Sequence, residues 1–291
     1  MSCPDCFRGA VHTHATPTGT METLHGIKTY VAGGGGGDAS TSPSTIIYFP
    51  DGFSLKVPNN QILADQYAAA TGCRVLFPDV VFHGGMPAHV LAGMEYVTST
   101  PTTLTSALVK AYTVVTLLPH VVPFLLWGHP RHNYAAMLQY ARDVRATLPA
   151  GGKLGVCGFC WGAWPSTKLC AEASVPGGAE RLVDAQFNGH PSYIVQEPGL
   201  VADCLRQFKT PYACAVAEKD IQFNADVAAR TEAQLRDSLA SKGDGENGYV
   251  FEFRVYKGAR HGFCVKAKEG DMQNYHAAVA HGIEWFKKYL N

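Results

Sequence analysis

The stretch Lys153-Leu-Gly-Val-Cys-Gly158-Phe-Cys160-Trp-Gly162-Ala163 constrains this chain more than any other. Its apolar run reads as a buried strand, and the residues from 161 to about 173 read as a helix. Between them stands Gly-x-Cys-x-Gly, the sharp strand-to-helix turn that presents a nucleophile, with cysteine in the serine position. Gly158 and Gly162 omit side chains where neighbouring backbone has to pass close by. A thiol at that turn also sits at a helix N-terminus, where the dipole favours a thiolate. Pro165 fits this pattern poorly, because a proline about five residues in removes a backbone donor and should distort the first turns. A buried, inert cysteine in a glycine-rich turn has the same five-residue pattern, so the partners must be found elsewhere in the chain.

A nucleophilic thiol needs a base, and the base needs a carboxylate to orient it. In α/β-hydrolase folds these follow in the order nucleophile, acid, histidine, each after a strand. Tyr212-Ala-Cys-Ala-Val-Ala-Glu-Lys-Asp220 reads as a strand ending in an acidic turn, and Phe251-Glu-Phe-Arg-Val-Tyr-Lys-Gly-Ala-Arg-His261 as a strand ending in a histidine loop. The separations from Cys160 to Asp220 and on to His261, 60 and 41 residues, leave room for α/β units in between. Glu218 and Asp226 remain alternatives to Asp220. His190, after another strand, is an alternative base, but it precedes the acid and is taken as lining the pocket. For the oxyanion, the amides of Gly52 or Phe53 in Pro50-Asp51-Gly52-Phe53 pair with that of Trp161. His83-Gly84-Gly85 resembles a lipase oxyanion motif but follows the strand after helix 60–70, whereas the oxyanion loop should precede that helix, which leaves His83 as a candidate pocket residue.

The remaining elements fit the same scheme. Strands are expected at 27–32, 45–49, 73–78, 182–188, 212–217 and 249–256. Helices are expected at 60–70, 133–147, 226–239 and 273–290, with a helix or loop at 201–208. From about residue 45 strands alternate with helices, so a mostly parallel, doubly wound α/β sheet with helices on both faces is the expected fold. Residues 1–26 read as an irregular arm before one domain spanning 27–291. Its Cys3, Cys6, His12 and His14 have a ligand-like spacing, but the loop between the pairs is short for a zinc module, and no metal is expected. Gly33–Gly37 lacks the Lys-Ser/Thr and the helix of a phosphate loop and reads as a flexible connection. The apolar segment 86–130 reads as a cap over a pocket or as a subunit interface. Lys110, Pro119, His120 and Pro123 interrupt it as a membrane span.

Together Gly-Phe-Cys-Trp-Gly, the Glu-Lys-Asp turn and Gly-Ala-Arg-His-Gly-Phe resemble the dienelactone hydrolase family, over roughly residues 20–291. The Cys-Pro-Asp-Cys…Thr-Pro-Thr-Gly arm is similar to its fungal members. The resemblance implies an α/β-hydrolase fold and cleavage of activated esters or lactones through a Cys160 acyl-thioester, with no cofactor. It further implies Asp51 as an acidic residue beside the resting thiol and a basic residue after the histidine that binds a substrate carboxylate. Lys266 is the nearest one here, and no bidentate arginine stands there. With the long 86–130 insertion, this points to a larger, less anionic substrate than a dienelactone.

Charge and cysteine usage narrow the class further. Lys plus Arg and Asp plus Glu number 24 each, without a long basic run, which argues against a nucleic-acid partner. The nine cysteines are scattered through apolar segments, the usage of a reducing compartment, and the start shows no signal-peptide pattern. A cytoplasmic enzyme acting on a small ester or lactone, with a homodimer as one possible assembly, is the leading expectation. Two other readings stay open: acyl transfer or cyclisation from the same acyl-enzyme, and a redox-sensing or binding protein on this scaffold.

Overall fold

The computed structural model describes residues 4–13, 15–33, 42–100, 103–197, 199–240 and 248–291. Cys3, His14 and the glycine run after Gly33 lie outside them. The strands are β1 (Thr20–Leu24), β2 (Ile27–Ala32), β3 (Thr45–Phe49), β4 (Arg74–Pro78), β5 (Leu154–Phe159), β6 (Ala185–Gly189), β7 (Tyr212–Ala217) and β8 (Phe251–Tyr256). The helices are α1 (Asn59–Thr71), α2 (Ala88–Thr98), α3 (Leu104–Trp127), α4 (Tyr134–Ala146), α5 (Ala163–Leu169), α6 (Leu200–Phe208), α7 (Ala225–Ala240), α8 (Phe263–Lys266) and α9 (Met272–Leu290).

The strands form one eight-stranded sheet in the order β1-β2-β4-β3-β5-β6-β7-β8. β1 and β2 are antiparallel to their neighbours, and every pairing from β4 to β8 is parallel. Every residue of β3, β5, β6 and β7 is buried, as parallel strands covered on both faces require. One face packs Tyr48, Phe159 and Phe187 against Tyr67 of α1 and Trp285 and Phe286 of α9. The other packs Ile47, Val156 and Tyr212 against Met137 of α4, Leu169 of α5 and Leu205 of α6. Because β3, β5, β6, β7 and β8 run the same way, the loops that follow them emerge along one edge of the sheet.

Several elements differ from expectation. The second half of the supposedly irregular arm is a strand, since β1 pairs with β2 from Thr20↔Val31 to Leu24↔Ile27. Its residues are mostly exposed, so an edge strand with no apolar face left no pattern to read. β6 starts at Ala185, later than the apolar run, because Leu182 and Val183 approach the sheet as a loop. β8 likewise starts at Phe251.

Pro119 and Pro123 do not break α3, which runs continuously for 24 residues. The carbonyls they leave without donors belong to Val115 and Pro119, both exposed residues, so these carbonyls are open to solvent and the loss is cheap. Leu117 and Phe124 are the apolar side chains of this helix that are buried. Leu104, Leu108, Tyr112, Val115, Leu126 and Trp127 face outward. By length and composition alone α3 is apolar enough to cross a membrane. Lys110 folds back under it, its ammonium bonded to Ser99.

Candidate active site

Cys160 stands at the end of β5 with φ +51°, the strained left-handed conformation of a nucleophile turn. The two flanking glycines have steric causes. A Cβ on Gly158 would lie 2.2 Å from the Gly162 carbonyl oxygen, and a Cβ on Gly162 would lie 2.2 Å from that of Phe49. The Gly162 N–H donates to the Pro50 carbonyl at 2.9 Å, which ties the turn to the end of β3. The expected helix of residues 161–173 is shorter: a 3-10 turn, Cys160–Gly162, leads into α5, which ends at Leu169. Pro165 therefore falls in the first turn of α5, where an amide has no helical acceptor, and causes no break. A seven-residue helix behind a 3-10 turn is a weak source of dipole field, so the thiol's environment has to come from side chains.

Those side chains come from four loops. His261, after β8, places Nδ1 2.8 Å from Asp220 Oδ2, after β7, with both side chains fully buried. The other carboxylate oxygen of Asp220 accepts the Gln222 N–H at 2.8 Å. Glu218 instead accepts the Gly258 N–H at 2.7 Å, and Asp226 sits in the first turn of α7, so Asp220 is the acid the geometry brings to the imidazole. Cys160 Sγ and His261 Nε2 lie within 4.8 Å of each other. Ser192 Oγ is 3.4 Å from Cys160 Sγ.

Cys6 was not foreseen as part of this site. The arm folds across the sheet edge and sets Cys6 Sγ 3.4 Å from His261 Nε2, with Gln222 Nε2 donating to the same sulfur at 3.1 Å. His12 goes elsewhere, bonding the Ala267 carbonyl through Nε2 at 3.0 Å. Cys6 and His12, the two described members of the Cys-x-x-Cys…His-x-His spacing, thus bond to different partners. A sequence offers no local signal for a contact between residues 255 positions apart.

The electrostatics follow from burial and partners. Burial alone would raise the Cys160 pKa, but the hydrogen bond from Cys6, the adjacent His261 and the Lys266 charge bring it well below the usual thiol value. Burial alone would lower the His261 pKa, yet the charges of Asp220 and Cys160 hold it well above the usual imidazole value. Both shifts favour a thiolate beside an imidazolium.

Four of the expected pocket residues have other surroundings. Asp51 is held by other groups: its Oδ2 pairs with Lys266 Nζ, and its Oδ1 accepts from Asn60 Nδ2 at 2.9 Å and from the Phe53 N–H at 3.0 Å. Lys266 borders the cleft beside His261 while its ammonium is held by that carboxylate. Its side chain is fully buried, and although burial opposes the charge, Asp51 and Cys160 raise its pKa. A buried ammonium requires a counter-charge, and Asp51 supplies it. The Phe53 amide, one of the two expected oxyanion donors on that loop, is thus bonded to Asp51. His190 is fully buried behind the triad, its ring 4.9 Å from that of His261. Burial, then the His261 and Lys266 charges, lower its pKa well below the usual value. His83 lines a separate cleft between Lys56 and the Pro119–Phe124 end of α3, which no triad residue borders.

The cap meets the site at one end of α3. Phe124 packs on Gly52, where a Cβ would lie 3.0 Å from its ring, and its ring is 6.2 Å from that of Phe7 on the arm. Trp161 Nε1 donates to the Gly128 carbonyl at 2.5 Å. A cleft of about 270 Å³, bordered by Arg8, Glu95, Arg260, His261 and Lys268, opens beside the histidine.

The chain matches the dienelactone hydrolase family over residues 35–290. It is 25% identical to the hydrolase tropI of Talaromyces stipitatus, covering 98% of this chain and 95% of that protein. Among solved structures it resembles a protein assigned as a dienelactone hydrolase in Klebsiella pneumoniae, with TM-score 0.60, 16% identity and coverage of 94% of this chain and 98% of that one. A soluble variant of the Saccharomyces cerevisiae monoglyceride lipase gives TM-score 0.55 at 9% identity, covering 96% of this chain and 97% of that one. These structural likenesses concern the fold, and they agree with the sheet order found here. Given a family match that spans most of its length and a thiol, an imidazole and a carboxylate in the order that fold presents them, this chain belongs to the dienelactone hydrolase family.

Proposed function

We propose that this protein hydrolyses an ester or lactone of a small organic molecule through a thioester on Cys160. The observation that carries the reading is the buried His261–Asp220 pair at 2.8 Å, with the imidazole within 4.8 Å of a thiol on a strained turn. The Cys160 thiolate attacks the carbonyl carbon, and the amides of Gly52 and Trp161 receive the oxyanion. The tetrahedral adduct collapses as His261 gives its Nε2 proton to the leaving alkoxide. Neutral His261 then takes a proton from water, which attacks the thioester and releases the acid and Cys160. Asp220 keeps the imidazole in the tautomer that makes both transfers possible.

Intact-protein mass spectrometry on native protein and Cys160→Ala, mixed with a panel of activated aryl esters and lactones, tests this. The native chain is expected to gain a transient acyl mass and turn substrate over, with both absent in the variant. Equal turnover by the two proteins would remove Cys160 as nucleophile.

A further inference from the structure

The triad does not account for Cys6. Three ligand-type atoms, Cys6 Sγ, Cys160 Sγ and His261 Nε2, lie within 4.8 Å of one another in a site where all three residues are buried. We propose that these three side chains form a binding site for a thiophilic divalent cation, zinc being the best chemical match, and that the bound ion holds the enzyme inactive with its arm closed.

Two thiolates and one imidazole are a zinc ligand set, with bonds of about 2.3 Å to sulfur and about 2.0 Å to nitrogen. Tetrahedral bonds of those lengths place a sulfur and a nitrogen about 3.5 Å apart, and Cys6 Sγ is 3.4 Å from His261 Nε2. The surroundings already have the form of an outer shell. Asp220 holds the Nδ1 side of His261, which aims Nε2 into the cluster, the carboxylate–histidine arrangement that orients metal ligands. Gln222 Nε2 donates to Cys6 Sγ at 3.1 Å and steadies the second sulfur. Ser192 Oγ, 3.4 Å from Cys160 Sγ and 3.9 Å from Cys6 Sγ, stands where a fourth ligand or its hydrogen-bond partner belongs. An ion there occupies the sulfur and the ring nitrogen that hydrolysis requires. It also pins the arm over them.

The binding claim stands independently of the hydrolase reading, and cobalt(II) tests it directly. Reduced protein, freed of reductant and kept anaerobic, is titrated with Co²⁺. The expected result is one equivalent bound, with the thiolate-to-cobalt charge-transfer band and the visible bands of a tetrahedral ion, all bleached by Zn²⁺. In Cys6→Ser the charge-transfer intensity should halve and the affinity fall by at least about tenfold. Identical spectra and affinity in the two proteins would overturn the proposal, as would the absence of a charge-transfer band in the native protein at stoichiometric cobalt. Alkylation mapping of native protein supplies a readout that needs no variant. One equivalent of Zn²⁺ should protect Cys6 and Cys160 together, whereas protection of Cys160 alone, or of neither, would count against the site. If the protein lacks esterase activity but shows the cobalt spectrum, the catalytic reading fails and the metal site stands.

Discussion

Lys266 and Asp51 lie side by side beneath the thiol with no solvent access. Removing one member of such a pair strands the other charge. Lys266→Met is therefore expected to cost about 3–5 kcal/mol in urea unfolding, and Lys266→Met combined with Asp51→Asn should recover most of it. The triad charges set the pH response. Asp220 is lowered because burial is outweighed by His261 and by amide donors, so its contribution to stability is present above its unfolded value and lost as pH falls through its folded one. His261, raised from 6.5, contributes below that value and loses the contribution as pH rises through its higher folded pKa. For activity, kcat/KM should be flat through neutrality. The acid limb, where the thiolate protonates, lies well below the usual thiol value of 9.0, and the alkaline limb, where the imidazolium is lost, lies above 6.5. Asp220→Asn should pull the alkaline limb down and lower kcat. That Cys160, Asp220 and His261 each follow a strand, in that order, was legible because chain order and strand ends are local properties. The true partner of Asp51 was not, since a lysine 215 residues away carries no mark of where its ammonium goes.

At the scale of elements, the turn at Cys160 was the most legible part, because its glycines answer to a steric demand. Gly162→Ala forces a methyl against the Phe49 carbonyl oxygen, a backbone atom of a central strand that cannot move freely. The variant should lose about 3 kcal/mol of stability, and its kcat should fall further than stability accounts for, since any relief tilts Cys160 away from His261. Thermal unfolding together with initial rates checks both. β3, β5 and β7 were readable as apolar runs of strand length. β1 was missed because pairing, and not its own polarity pattern, makes it a strand. The length of α3 was missed because a proline breaks a helix where the freed carbonyl is buried, and sequence alone does not say that Val115 is exposed.

Across the whole molecule, the sheet carries two additions at its active edge: the cap, which touches the site through Phe124 and Gly128, and the arm, which enters through Cys6 and Phe7. Glu95 of α2 joins them, accepting the Gly9 N–H at 2.9 Å and pairing with Arg8 at 3.3 Å and with Lys268 just beyond the histidine loop. Arm, cap and histidine loop are thereby cross-linked through one carboxylate. The α/β class and the order of the triad followed from periodicity and spacing, whereas this closure depends on contacts between distant segments, which no window along the chain contains.

The arm's route has a consequence for biosynthesis. Residues 6–12 leave the ribosome early, yet their resting places, on Asn59, Ser192, Gln222, His261 and Ala267, are completed only when most of the remaining chain has followed. A nascent chain that has formed β5 already displays the reactive sulfur but has neither the imidazole to protonate a leaving group nor the segment that covers it. Such long-range closure is a late folding event, so the thiol passes through an open, unpaired stage in every molecule the cell makes.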